Sequence, residues 1–118
     1  MKKTIKVMTE EEIQQRADEL TIKVEAKVTP FVFTGDSEDD QVIGYFKEPK
    51  RDVKIKILDK AQAGIASAAE DLMNLCVIKE ASDARIYSDL PENDTYYMGA
   101  VMEVQNLLKF SVNVLKKK

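Results

Sequence analysis

The chain has no histidine and no tryptophan among its 118 residues, only one cysteine, and just four glycines and three prolines. Histidine is the commonest transition-metal ligand and the usual general base near neutral pH, so its absence argues against zinc sites and Ser–His or Cys–His nucleophile systems. An enzyme built from what remains would rely on paired carboxylates, a lysine, or a divalent cation on oxygen ligands. No pair of acids at a defined separation can be placed from the sequence, and no enzymatic role is expected. Gly35, Gly44, Gly64 and Gly99 are too dispersed for a glycine-rich phosphate loop, which leaves nucleotide binding without support. A single thiol cannot form an internal disulfide, and Cys76, set among Leu72, Met73, Leu75, Val77 and Ile78, reads as a buried small hydrophobe. No apolar run approaches the roughly 20 residues of a membrane span, and Met1 to Met8 carries no apolar stretch behind its lysines. A cytoplasmic protein with no membrane partner is expected, and no cofactor.

The residues that are present fit one small domain, with 44% hydrophobic residues and 18 basic against 21 acidic side chains. Lys47 to Lys60 is locally basic, but a helix there would scatter Lys54, Lys56 and Lys60 around its circumference, and a net charge of −3 does not suit a phosphate backbone. No nucleic-acid partner is expected.

Along the chain, Thr9-Glu10-Glu11-Glu12 is a capping-box start, in which the Thr hydroxyl accepts from an N–H three residues on and Glu12 reaches back. Ile13, Ala17, Leu20 and Val24 come next on one helical stripe, which predicts a helix to about Glu25. Val28 to Thr34, aromatic and β-branched with Pro30 inside it, reads as an edge strand. Gln41 to Phe46 reads as its antiparallel partner. Between them Gly35 to Asp40 carries four carboxylates; it lacks the ligand spacing of an EF-hand and reads as a solvated tip rather than a cation site.

Pro49 and Asp52 open a helix through Val53, Ile57, Leu58, Ala61 and Ile65, although Val53, Ile55 and Ile57 also alternate as a third strand would. Gly64 separates this stretch from an Ala-rich helix running to Ile78. Lys79 to Pro91 is a structured connection containing one short turn. Asn93-Asp94-Thr95 is a helix start rather than a glycosylation site, and Asp94 caps a terminal helix. There Tyr97, Val101, Val104 and Leu108 form one stripe, widened by Met98, Met102, Gln105, Val112 and Leu115. Leu107, Phe110 and Val114 add a second apolar edge that so small a monomer has difficulty covering. The expected architecture is α+β: an N-terminal helical extension (1–25), a small antiparallel β-hairpin (28–47) and a helical C-terminal half (49–118). Met102, Leu107, Phe110 and Val114 are the candidate protein-interaction surface.

The order of several landmarks adds a further expectation: Val28-Thr29-Pro30 before an apolar strand, the acidic tip, Gly44-Tyr45-Phe46-Lys47-Glu48-Pro49-Lys50-Arg51, Asn74-Leu75-Cys76-Val77, and Leu115-Lys116-Lys117-Lys118. In this order the chain resembles the phage and prophage tail-assembly chaperones from about residue 25 onward. The resemblance implies a non-enzymatic protein of the bacterial host cytoplasm. It would bind the phage tape-measure protein, and in its turn meet tail-tube subunits, during tail morphogenesis. It carries no catalytic residues to this chain. Two alternatives stand beside it: a virion or head-tail joining component that forms homo-oligomers through the terminal helix, and a small ligand-binding adaptor unrelated to phage.

Overall fold

The computed structural model describes residues 7–108. Helix α1 (Glu10–Val24) begins at Thr9, whose hydroxyl accepts from the Glu12 N–H while Glu12 accepts from the Thr9 N–H, closing the expected capping box. It ends at Glu25, a non-glycine residue in the left-handed region (φ 58°, ψ 38°). Thr21 ties this end down, its hydroxyl donating to Ala17 O (2.9 Å) and accepting from Val28 N–H (3.0 Å).

Strands β1 (Val28–Thr34) and β2 (Gln41–Lys47) form an antiparallel hairpin with Val28 opposite Lys47, Phe31 opposite Gly44 and Thr34 opposite Gln41. Directly opposed residues share a face, so this register puts Phe31, Phe33, Val42 and Phe46 on one side and Val28, Val32, Ile43 and Tyr45 on the other. Both sides are covered. Ile13, Ala17 and Leu20 of α1 pack with Val28, Tyr45 and Ile78 against one face. The expectation that residues 1–25 form an extension is therefore corrected for α1, because its apolar stripe is the cover of a whole sheet face.

The other face meets the helical half: α2 (Arg51–Ala61), α3 (Ile65–Cys76), a one-turn α4 (Ala84–Tyr87) and α5 (Asp94–Val104). The alternating segment Val53–Ile57 is helical, with Ile57 buried against the main core. Gly64 separates α2 from α3 as expected. The buried alanines Ala68, Ala69 and Ala100 let α3 and α5 approach closely, and Phe46, Leu72, Met73 and Val104 fill the space between helices and sheet. Gly44 is required by that closeness. A Cβ there would stand 2.6 Å from Ile86 Cδ1 and 2.7 Å from a Phe46 ring carbon, while Phe31 packs on Phe46 at 4.8 Å between ring centroids.

Two expectations for the terminal helix need correction. Asp94 does not cap it: Asn93 holds the cap position without a side-chain bond, after a 3₁₀ turn at Pro91–Asn93. The α-helix ends at Val104 and tightens into a 3₁₀ turn, Gln105–Leu107, while the rest of the expected helix, from 109 on, lies outside the described residues. At three residues per turn Val104 and Leu107 eclipse, so both side chains enter the core.

Candidate partner-binding surface

The expected interaction residues separate in the structure. Met102 stands on the solvent side of α5, 64% exposed, with Met98 one turn before it at 50%. Leu107 is only 2% exposed and packs in the main core, so it is withdrawn from the surface: the 3₁₀ turn rotates it inward beneath Val104. Phe110 and Val114 lie outside the described residues, as do Val112 and Leu115. The outer side of α5 therefore presents a methionine pair at i, i+4 spacing, while Ala100, Val101 and Val104 hold the opposite side in the core. Methionine side chains have several rotatable bonds and a polarizable sulfur, and so repack against partners of differing shape.

Other apolar side chains reach solvent from α2 and α3: Ile55, Leu58, Ile65 and Leu75. Leu75 borders a cleft of about 330 Å³ where the end of α1 meets the hairpin-to-helix junction, lined also by Val24, Ala26, Pro49 and Val53 and rimmed by Lys47 and Lys50. Cys76 lies at this cleft but is buried, and burial pushes its thiol up to about 11, with Lys47 opposing the shift weakly. At neutral pH it is a protonated, inert packing group, as the sequence suggests.

The densest charged constellation is one that sequence reasoning missed. Arg85, at the start of α4, donates both terminal nitrogens to Asp40 of the hairpin tip (2.7 and 2.9 Å) and a second pair of bonds to Asp83 (2.8 and 3.1 Å). Its guanidinium also stands over the Tyr96 ring at 5.5 Å. Hydrogen bonds from Arg85, aided by the Asp36 N–H, hold the Asp40 carboxyl down at about 2, and the same guanidinium lowers Asp83. Arg85 is raised in return. The arrangement is a clamp between hairpin tip and helices, with four of the five guanidinium N–H donors taken by its own acids. Asp40 and Arg85 are 45 positions apart and no local motif links them.

Among the described residues no group of three or more Cys, Asp or Glu side chains is placed to hold a metal ion, and the acidic tip spends Asp40 on Arg85. Tyr97 donates to Glu70 (2.6 Å), linking α5 to α3, and Lys60 pairs with Asp71 between α2 and α3. Tyr45 and Phe46 are core, and Tyr96 and Tyr97 are half-buried at its rim. No helix among the described residues is long and apolar enough to cross a membrane. The chain matches no protein-family model, no curated protein and no solved structure.

Proposed function

We propose that this chain is a non-enzymatic tail-assembly chaperone of a phage or prophage, acting in the cytoplasm of the bacterial host and binding the tape-measure protein during tail morphogenesis. The observation that carries the proposal is the Met98–Met102 pair on the solvent side of α5. Two adaptable apolar side chains on a rigid helix suit a helical client that offers repeated apolar stripes rather than one fixed epitope. The charged clusters of the protein support binding over chemistry, since Arg85, Asp40, Asp83, Tyr97 and Glu70 are engaged with one another in bonds that join elements of the fold. An acidic overall balance keeps a complex with an apolar client in solution.

The test is co-expression with the tape-measure protein from the same source, followed by affinity capture and light scattering of the eluted species. Stable capture that prevents client aggregation is expected. Substituting Met98→Glu and Met102→Glu together is expected to weaken capture at least tenfold, with the thermal midpoint within about 2 °C of the parent because both side chains face solvent. Capture that is indifferent to both substitutions would overturn the α5 surface. A discrete ring formed by this chain alone, with no capture, would overturn the chaperone proposal in favour of a structural tail component.

A further inference from the structure

The chain carries five methionines and one cysteine, and those among the described residues stand in unlike surroundings. Met73 is fully buried in the main core, between the helices and the sheet. Met8 is half-buried against the core under α1, with its backbone fastened to the Gln41 amide. Cys76 is buried and keeps its proton at neutral pH, so it offers no thiolate to an oxidant. Of these sulfur-bearing side chains only Met98 and Met102 are exposed.

The pair is also chemically distinct from the rest of the apolar surface. Every other large apolar side chain exposed among the described residues is Val, Ile or Leu, hydrocarbon that a mild oxidant leaves alone. A thioether reacts with hydrogen peroxide by two-electron oxygen transfer. The sulfur lone pair attacks one peroxide oxygen, an S–O bond forms as the O–O bond breaks, and the second oxygen leaves with both hydrogens as water. An apolar sulfur becomes a polar, hydrogen-bond-accepting sulfoxide.

The fold confines that change to one place. Four residues apart on α5, Met98 and Met102 lie on the same side of the helix one turn apart, so two sulfoxides fall within one patch. Ala100, Val101 and Val104 hold the opposite side of α5 in the core and have no sulfur to oxidise. Met73, the methionine whose oxidation would break the core, is reached only when the fold opens. Oxidation at the exposed pair therefore alters the surface and leaves the packing beneath it as it was.

We propose that Met98 and Met102 are a paired sulfoxidation site, with a peroxide as the oxidant, through which the apolar side of α5 is turned off and, on reduction, turned on again. The effect on a client rests on the proposed function above; the change of surface does not. The experiment treats the full chain with hydrogen peroxide and follows peptide mass maps, retention on a phenyl matrix, circular dichroism and capture of the tape-measure protein. Met98 and Met102 are expected to gain one oxygen each at least about tenfold faster than Met73, with the helical signal unchanged. Retention and capture should fall together. Methionine sulfoxide reductases with a dithiol, which becomes a disulfide as the oxygen leaves as water, should restore both. Met98→Leu with Met102→Leu keeps the surface apolar without sulfur, and its retention and capture should be indifferent to peroxide. Oxidation of Met73 as fast as the pair, or retention that survives both sulfoxides, would overturn the site. An equal peroxide loss in the leucine variant would overturn it too, by placing the damage elsewhere. Capture that survives double sulfoxidation would overturn the switch and leave the chaperone reading standing. An untreated chain that captures nothing, but whose retention still falls on sulfoxidation, would sink the chaperone reading and leave the sulfoxidation site in place.

Discussion

The two faces of one hairpin are stabilised in different ways. On one, a single amphipathic helix lays Ile13, Ala17 and Leu20 over Val28 and Tyr45. On the other, α3, α4 and α5 meet the sheet around Phe46 and Val42, Ile57 of α2 joins the same core, and that core extends through Leu72, Met73, Ile86 and Val104. The same strands serve both, because successive residues of β2 alternate between the covers: Tyr45 under α1, Phe46 under the helical half. An isolated hairpin is marginal in water, so each cover stabilises the strand pairing that the other needs. A one-residue slip of register would exchange Tyr45 with Phe46 and break both cores at once.

Truncations on either side sharpen this contrast. Phe46→Ala empties the centre of the larger core and is expected to cost about 4 kcal/mol, read as a shift in denaturant midpoint. Leu20→Ala, equally buried but beneath one helix, is expected to cost about 3 kcal/mol, since α1 has more freedom to settle into the space. The two variants should also differ in kind. Leu20→Ala is expected to accelerate amide exchange in α1 by local opening while α3 and α5 keep their protection, whereas Phe46→Ala lowers protection throughout. Equal loss in α1 and α3 after Leu20→Ala would show the two faces to be a single cooperative unit and dissolve the comparison.

Thr9→Ala is a weaker probe of the same helix. It deletes the hydroxyl that accepts from the Glu12 N–H and is expected to cost about 1 kcal/mol in chemical denaturation, confined to the α1 side. Exchange rates in α1 should rise and those in α3 stay as they were. A matching loss in α3 would again argue for one unit.

Local chemistry made much of this fold legible in advance. The capping box at Thr9, both strands of the hairpin and the break at Gly64 all depend on a few adjacent residues, and each stands where expected. The α+β class rests on them. The features that stayed illegible depend on distant partners. Val53, Ile55 and Ile57 alternate as well as they wind, and packing of Ile57 into the core decides for a helix. Leu107 looked like a surface residue because the helix was continued past Val104, and its burial comes from a change of winding that no residue nearby announces. α1 reads as an extension because the resemblance starts only at about residue 25, and the counterpart of its narrow stripe comes into view only when the register places Val28 and Tyr45 on one face. For the interaction surface, only Met102 of the four expected residues is both described and exposed, and Met98 joins it through helical spacing that was already on view.

The smallest expected effect separates the two sides by pH. On the helical side the hairpin tip is held by charge: Arg85 joins Asp40 to Asp83 and reaches over Tyr96. On the α1 side the same end of the hairpin is held by neutral bonds, the Gln41 amide donating to Met8 O (3.0 Å) and accepting from Met8 N–H (2.8 Å). Asp40 titrates at about 2 in the folded protein, well below an ordinary carboxylate near 4, and Asp83 is shifted in the same direction. A carboxylate depressed by folding contributes its full stabilisation above its unfolded pKa and loses it as pH falls through the folded value. The clamp should therefore be intact down to about pH 4 and lost progressively towards about pH 2. Arg85→Gln is expected to lower the thermal midpoint at pH 6, modestly because these groups are partly exposed and screened, and the gap from the parent should close between pH 4 and pH 2. Gln41→Leu, which breaks the neutral tie, should produce a gap that stays level across the same range. Parallel pH profiles for the two variants would mean that the charges at the tip add nothing that neutral hydrogen bonds do not.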